Sequence, residues 1–175
     1  VKKFNPKSIS AIGLNNTVAL LYKLIGFEIQ TMKQWFIPNR GLSHHNLIVG
    51  NLPLQTSKKD ITSYEIVECL HKDEILLRNF LYNVKSKRCF QYLVNRYLNH
   101  PIYKYKIYSI RDADSVLRVI FVGREVIGNS SKAFRLTELF LNQGDYLNIS
   151  SSLEKFILSK DYEYIDFIEY GFNES

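Results

Sequence analysis

Apolar positions first fall into a helical rhythm at Val18, Leu21, Tyr22 and Ile25, spaced i, i+3, i+4 and i+7. Asn15 or Asn16 can cap this helix, and Gly26 stands where a left-handed closing residue is wanted. Phe27-Glu28-Ile29 and Met32 to Ile37 then read as strand, stopped by Pro38-Asn39-Arg40-Gly41. Residues 39–63 lose the pattern, carrying His44-His45, Pro53 and the polar run Gln55 to Asp60, and read as a linker.

The rhythm returns as a strand over Ser63 to Leu70, a short helix capped by Asp73 through Leu81, and a longer helix capped by Ser86. Phe90, Leu93, Val94 and Tyr97 share one face of that longer helix, which ends near Asn99 because Pro101 disfavours helical geometry at His100. Ile102–Ile110, Val116–Val126 and Lys132–Phe140 are rich in aromatic and β-branched residues, with Asp112-Ala113-Asp114 and Gly128-Asn129-Ser130 as turns. Val116–Val126 is apolar on both faces, which predicts a central strand. Asp145 or Asn148 opens a last helix bearing Ile149, Leu153, Phe156 and Ile157, and Tyr162–Ile168 is a last strand. The order predicts an α+β fold: a mixed, mostly antiparallel sheet flanked by helices.

Composition narrows this little. The 175 residues are 46% apolar and 14% aromatic, enough to bury a core, and the net charge is +6. The charge is uneven: residues 1–60 hold 8 basic and 2 acidic side chains, whereas residues 121–175 hold 5 and 9. No apolar run approaches the ~20 residues that cross a bilayer, and no secretory leader is legible, so a soluble cytoplasmic protein is expected. Cys69 and Cys89 fit reduced core thiols, not a disulfide framework or a C-x-x-C site.

Candidate chemistry is sparse. The sequence lacks the P-loop, dinucleotide, nucleophile-elbow and zinc-protease signatures. His44 and His45 are adjacent and point to opposite sides of an extended chain, so no metal is expected. Glu163, Asp166 and Glu169 bracket the final strand, where a partly buried carboxylate would serve as a general base; the alternative, a solvated edge, is favoured. Tyr103-Lys104-Tyr105-Lys106 interleaves rings and bases as a nucleic-acid platform does, but alternation sends the tyrosines one way and the lysines the other. Core tyrosines and solvated lysines are the simpler expectation, and nucleic acid is not an expected partner.

The run from Asn15 to Phe27, an Asn followed by an apolar helix, Tyr22 and a Gly-Phe pair, resembles the acetyl-CoA-side motif of GNAT-type N-acetyltransferases. The resemblance implies that Asn15 helps hold acetyl-CoA and that the Tyr22 hydroxyl gives a proton to the departing thiolate. Met32 to Asn39, Asn95 to Tyr105, Val122 to Val126, Phe134-Arg135-Leu136 and Glu163 to Phe167 are similar to bacterial two-module acyltransferase-like proteins of surface-polysaccharide loci. By that likeness residues 1–38 are the tail of a first module, 39–63 a linker and 64–175 a second GNAT-like module, the whole a C-terminal fragment. It implies acyl transfer from acyl-CoA to an amine acceptor, with an amine carried on a sugar nucleotide as a candidate.

The sequence also departs from the family. Its pyrophosphate loop, Q/R-x-x-G-x-G/A at a helix N-terminus, is missing, and the matching junction Phe140 to Asp145 carries one glycine and an acidic residue. The chain is therefore expected to be incomplete for catalysis, with Arg96, Arg124 and Arg135 either contacting anions or pairing with Glu125 or Glu138. A non-catalytic scaffold or interaction module is the alternative reading.

Overall fold

The structure is a computed structural model that describes residues 15–48, 52, 64–70, 73–142 and 149–169. The chain divides after Lys33: the residues up to Lys33 belong to one compact unit and Gln34–Glu169 form the other.

In the first unit, helix α1 spans Asn16–Leu24, with the Asn15 carboxamide oxygen accepting the Val18 N–H at 2.9 Å. Gly26, at φ 91°, closes it: its N–H reaches the Lys23 carbonyl and the Phe27 N–H reaches the Tyr22 carbonyl. That cap engages the Phe27 N–H, so the strand expected over Phe27-Glu28-Ile29 does not form and regular extension begins at Lys33.

The second unit is built on a six-stranded sheet. Its strands are β1 (Lys33–Pro38), β2 (Glu65–Glu68), β3 (Tyr105–Arg111), β4 (Leu117–Gly128), β5 (Ser131–Leu141) and β6 (Tyr164–Glu169), in the order β1-β6-β5-β4-β3-β2. The β2–β3, β3–β4 and β4–β5 ladders are antiparallel and the β5–β6 ladder is parallel, so the mixed, mostly antiparallel sheet expected from the sequence is present. Helices α2 (Glu74–Asn83), α3 (Phe90–Leu93) and a π-helical turn at Val94–Leu98 join β2 to β3, and α4 (Ile149–Lys160) joins β5 to β6. Asn129 and Ser130, at φ 46° and 61°, make the tight β4–β5 turn.

Alternation along β4 feeds two cores. Ile120 and Val122 pack with Ile107 and Phe140 against Leu77, Phe80, Phe90 and Leu93 of the α2–α3 layer. Val119 and Phe121 pack with Tyr108, Phe134 and Ile165 against Leu153, Phe156 and Ile157 of α4. With a helix layer on each face, β4 is central, as its two-sided apolar pattern predicts.

Local chemistry moves several boundaries. The Ser86 N–H bonds the Leu81 carbonyl and Lys85 takes φ 51°, so Ser86 belongs to the C-terminal cap of α2 and the next helix begins only at Phe90. Asp73 precedes α2 but spends its carboxylate on the Leu70 N–H. His100 Nδ1 accepts the N–H groups of Ile102 and Tyr103, a turn that delays β3 to Tyr105. Cys89 is exposed at the start of α3, whereas Cys69 is a buried thiol whose pKa burial pushes up.

Candidate functional site

The β5–β6 junction is the most distinctive backbone feature of the second unit. Among the described residues the parallel register runs over two pairs, Phe134↔Ile165 and Arg135↔Asp166, although β5 continues to Leu141 and β6 to Glu169. A register slip lies on the other edge of β5. Val122 pairs with Glu138 but Gly123 pairs with Leu136, leaving Thr137 as an extra residue in β5. The Thr137 hydroxyl donates to the Val122 carbonyl at 3.0 Å and pins this bulge. A bulge bends its strand and strengthens the local twist, which turns β5 away from a straight parallel partner.

Gly123 makes the bend fit. A Cβ there would lie 2.3 Å from the Phe134 ring and 2.5 Å from the Arg135 carbonyl, so only glycine allows the close approach. Past those two pairs, no further β5–β6 register pair is present among the described residues, although both strands continue. An extended, amide-bearing ligand can add to a strand edge as a strand would.

The final strand does not lie at an edge, which overturns the solvated reading for Glu163 and Asp166. Because β6 sits between β1 and β5, Glu163 and Asp166 are each only 1% exposed. Asp166 accepts Arg135 through both carboxylate oxygens, at 2.6–3.2 Å, and Gln34 Nε2 at 2.7 Å. The pair raises the Arg135 guanidinium pKa further.

Glu163 accepts three backbone N–H groups: Asn46 at 2.9 Å on one oxygen, and Leu47 at 2.6 Å and Ile48 at 2.9 Å on the other. Burial pushes its pKa upward, but these bonds outweigh burial and hold the carboxyl below the ordinary range. Asn39 completes the attachment, its side chain donating to the Tyr162 carbonyl and its N–H to the Glu163 carbonyl, each at 2.8 Å. Residues 39–48 of the stretch read as a linker are thus fastened to the start of β6.

Two other carboxylates on the sheet are also engaged. Glu138 pairs with Arg88 and accepts the Tyr97 hydroxyl at 2.6 Å, and Glu125 accepts the Tyr162 hydroxyl at 2.6 Å. Burial, then the Glu125 carboxylate, keep the Tyr162 phenol protonated.

The residues singled out in the sequence have separate placements. Asn15 and Tyr22 lie in the first unit, where Asn15 is the N-cap of α1 and Tyr22 packs edge-on against Phe27 with ring centres 5.0 Å apart. Arg124 covers the exposed Tyr103 ring at 4.2 Å, so that tyrosine is not in the core, while Tyr105 is half-buried. Arg135 pairs with Asp166 and not with Glu125 or Glu138, because the parallel register sets it opposite β6. Arg96 lies over the Tyr97 ring at 5.9 Å. His45 contacts the Asn39 carbonyl at 2.9 Å, and among the described residues no group of three or more His, Cys, Asp or Glu is assembled to hold a metal. Half of the Phe140 to Asp145 junction, from Gln143 on, lies outside the described residues, as does the side chain of Glu169.

Sequence reasoning missed the Thr137 bulge and the Arg88 and Tyr97 partners of Glu138. The Val122-Gly123 step offered one signal, since an isolated glycine inside a strand pattern marks a bulge or a close backbone approach.

No protein-family model matches the chain, and no curated protein matches it. Several solved structures do. The chain is similar to a GNAT family acetyltransferase from Staphylococcus aureus at 11% identity and TM-score 0.44, covering 65% of this chain and 95% of that one. A GCN5-related N-acetyltransferase from Anabaena variabilis matches at 10% identity and TM-score 0.48, over 81% of this chain and 34% of that one. The glucosamine N-acetyltransferase region of a fungal multi-domain β-N-acetylglucosaminidase matches at 13% identity and TM-score 0.40, over 65% of this chain and 14% of that one. The chain thus spans a small part of the length of two of these three proteins. At such identities the likeness concerns the arrangement of strands and helices and not activity.

Proposed function

We propose that this chain is part of a GNAT-like N-acyltransferase that works in the cytoplasm and moves an acyl group from acyl-CoA to an amine, such as an amino group on a sugar nucleotide. The observation that carries the reading is the short β5–β6 ladder beside the Thr137 bulge. The pantetheine arm of acetyl-CoA is linear and carries two amides, and the stretches of β5 and β6 beyond their two register pairs would supply backbone partners. The Asn15 to Phe27 resemblance supports it independently.

Acyl-CoA, when bound, supplies an activated thioester. The amine nitrogen attacks its carbonyl carbon, the carbon–sulfur bond breaks and the thiolate takes up a proton; the Asn15 to Phe27 resemblance implies that proton-donor role for Tyr22 in the module to which α1 belongs, separately from the β5–β6 edges. The same resemblance implies that Asn15 helps hold a donor in that first module. The proton leaving the amine passes to solvent water, because the carboxylates of Glu163, Asp166, Glu138 and Glu125 are all engaged with other partners. The second unit is therefore read as holding substrate and not as performing the proton transfer. The same engagement favours the alternative, a scaffold module without catalysis.

Titration of the 15N-labelled chain with acetyl-CoA tests the reading. Saturable binding with a Kd below about 1 mM is expected, with amide shifts centred on Thr137–Leu141 and Phe167–Glu169. Absence of binding, or shifts confined to other strands, overturns the acyl-CoA reading and leaves the scaffold.

A further inference from the structure

A cleft of about 290 Å³ lies between α4 and the β2–β3 side of the sheet, walled by Ile66 and Phe156. Two of its lining residues carry buried hydroxyls with no hydrogen-bond partner within 3.5 Å: Tyr108, 2% exposed and with the Glu68 carboxylate beside it, and Ser152, 1% exposed. Nor can the Tyr108 ring swing to find one. It is stacked on Phe121 at 5.2 Å and held edge-on by Phe134 at 5.8 Å and Phe156 at 4.9 Å. Phenylalanine would satisfy that aromatic box, and an unsatisfied buried hydroxyl is costly. Two such groups on one cleft are chemistry waiting for a ligand.

The charges around the cleft indicate its sign. Lys155 and Lys160 line it, against one carboxylate, Glu68, which Lys106 already pairs at 3.2 Å. The balance favours an anion. Burial, with Glu68 beside it, raises the Tyr108 phenol pKa, so the hydroxyl stays a donor across the physiological range. The volume equals that of roughly ten liquid waters, room for a compact organic acid or a phosphate and too little for a nucleotide.

We propose that this cleft binds a small anion through the Tyr108 and Ser152 hydroxyls and the Lys155 and Lys160 ammonium groups. None of its lining residues belongs to the β5–β6 wedge, so the site stands or falls separately from acyl-CoA binding.

The full chain is titrated by two-dimensional NMR with L-malate and, separately, with inorganic phosphate, at ionic strength held constant with sodium chloride. Saturable shifts at Tyr108, Ser152 and Lys155 with a Kd of about 1 mM or tighter are expected for one of them, and the arm that saturates identifies carboxylate or phosphate chemistry. Tyr108→Phe keeps the ring contacts and should weaken binding about tenfold; Lys155→Ala should weaken it severalfold, and Lys104→Ala not at all. Ser152→Ala provides a second hydroxyl deletion with its own binding readout. Failure of both probes to saturate, or binding that survives both Tyr108→Phe and Lys155→Ala, overturns the proposal and makes the cleft a water pocket.

Discussion

Replacing Glu163 by glutamine tests whether residues 39–48 are held by a charge or only by shape. The carboxylate accepts three backbone N–H groups at 2.6–2.9 Å while 1% exposed. Glutamine has the same outline, but its single oxygen can keep only the Leu47 and Ile48 bonds, now to a neutral acceptor. Its NH2 group then faces the Asn46 N–H. Losing one charge-assisted bond and weakening two others costs about 3–5 kcal/mol, and relief of the buried charge offsets part of this, leaving about 2–3 kcal/mol.

The pH dependence separates charge from shape. The folded pKa of Glu163 is depressed, so between it and the unfolded value the unfolded chain binds more protons. The stabilisation is therefore complete above the ordinary glutamate range, about pH 4.3, and is lost as pH falls through the lower folded pKa. Glutamine does not titrate, so the gap between wild type and Glu163→Gln should narrow in urea unfolding series run from pH 7 into that acid range. A difference below about 0.5 kcal/mol at pH 7, or one that stays constant with pH, would refute the reasoning.

Two other substitutions probe the frame of the wedge. Asp166→Asn removes the charge facing Arg135 and should cost about 2 kcal/mol in urea unfolding, less than the ~3–5 kcal/mol of a fully buried pair because the Arg135 side chain is 33% exposed. Gly123→Ala should cost about 3 kcal/mol, the upper end of overpacking, because two clashing atoms belong to the buried Phe134 ring and a third to the Arg135 backbone; an unchanged urea midpoint would show that the bulge can relax.

What the sequence determined by itself is what nearest neighbours enforce. The Asn15 cap, the left-handed Gly26, the tight turn at Asn129-Ser130 and the two-sided apolar pattern of β4 each depend on residues within a few positions, and each is found in the structure. The α+β class followed from the order of these elements. The Ser86 boundary failed because two local fates competed for one residue, and the cap of α2 took its N–H.

The tertiary structure alone decided the state of the last strand. Nothing near Glu163 or Asp166 announces burial. Their partners stand 115–117 residues away for Glu163, and 31 and 132 away for Asp166, so a charged pair that reads as a wet edge becomes an anchored interior. The Thr137 bulge likewise needs the β4 register to exist, and the stranded hydroxyl of Tyr108 needs the walls of a cleft drawn from two strands and a helix. Helix periodicity and caps are set by short-range sterics and hydrogen bonds. Strand order, burial of charge and cavities are set by contacts that local pattern does not encode.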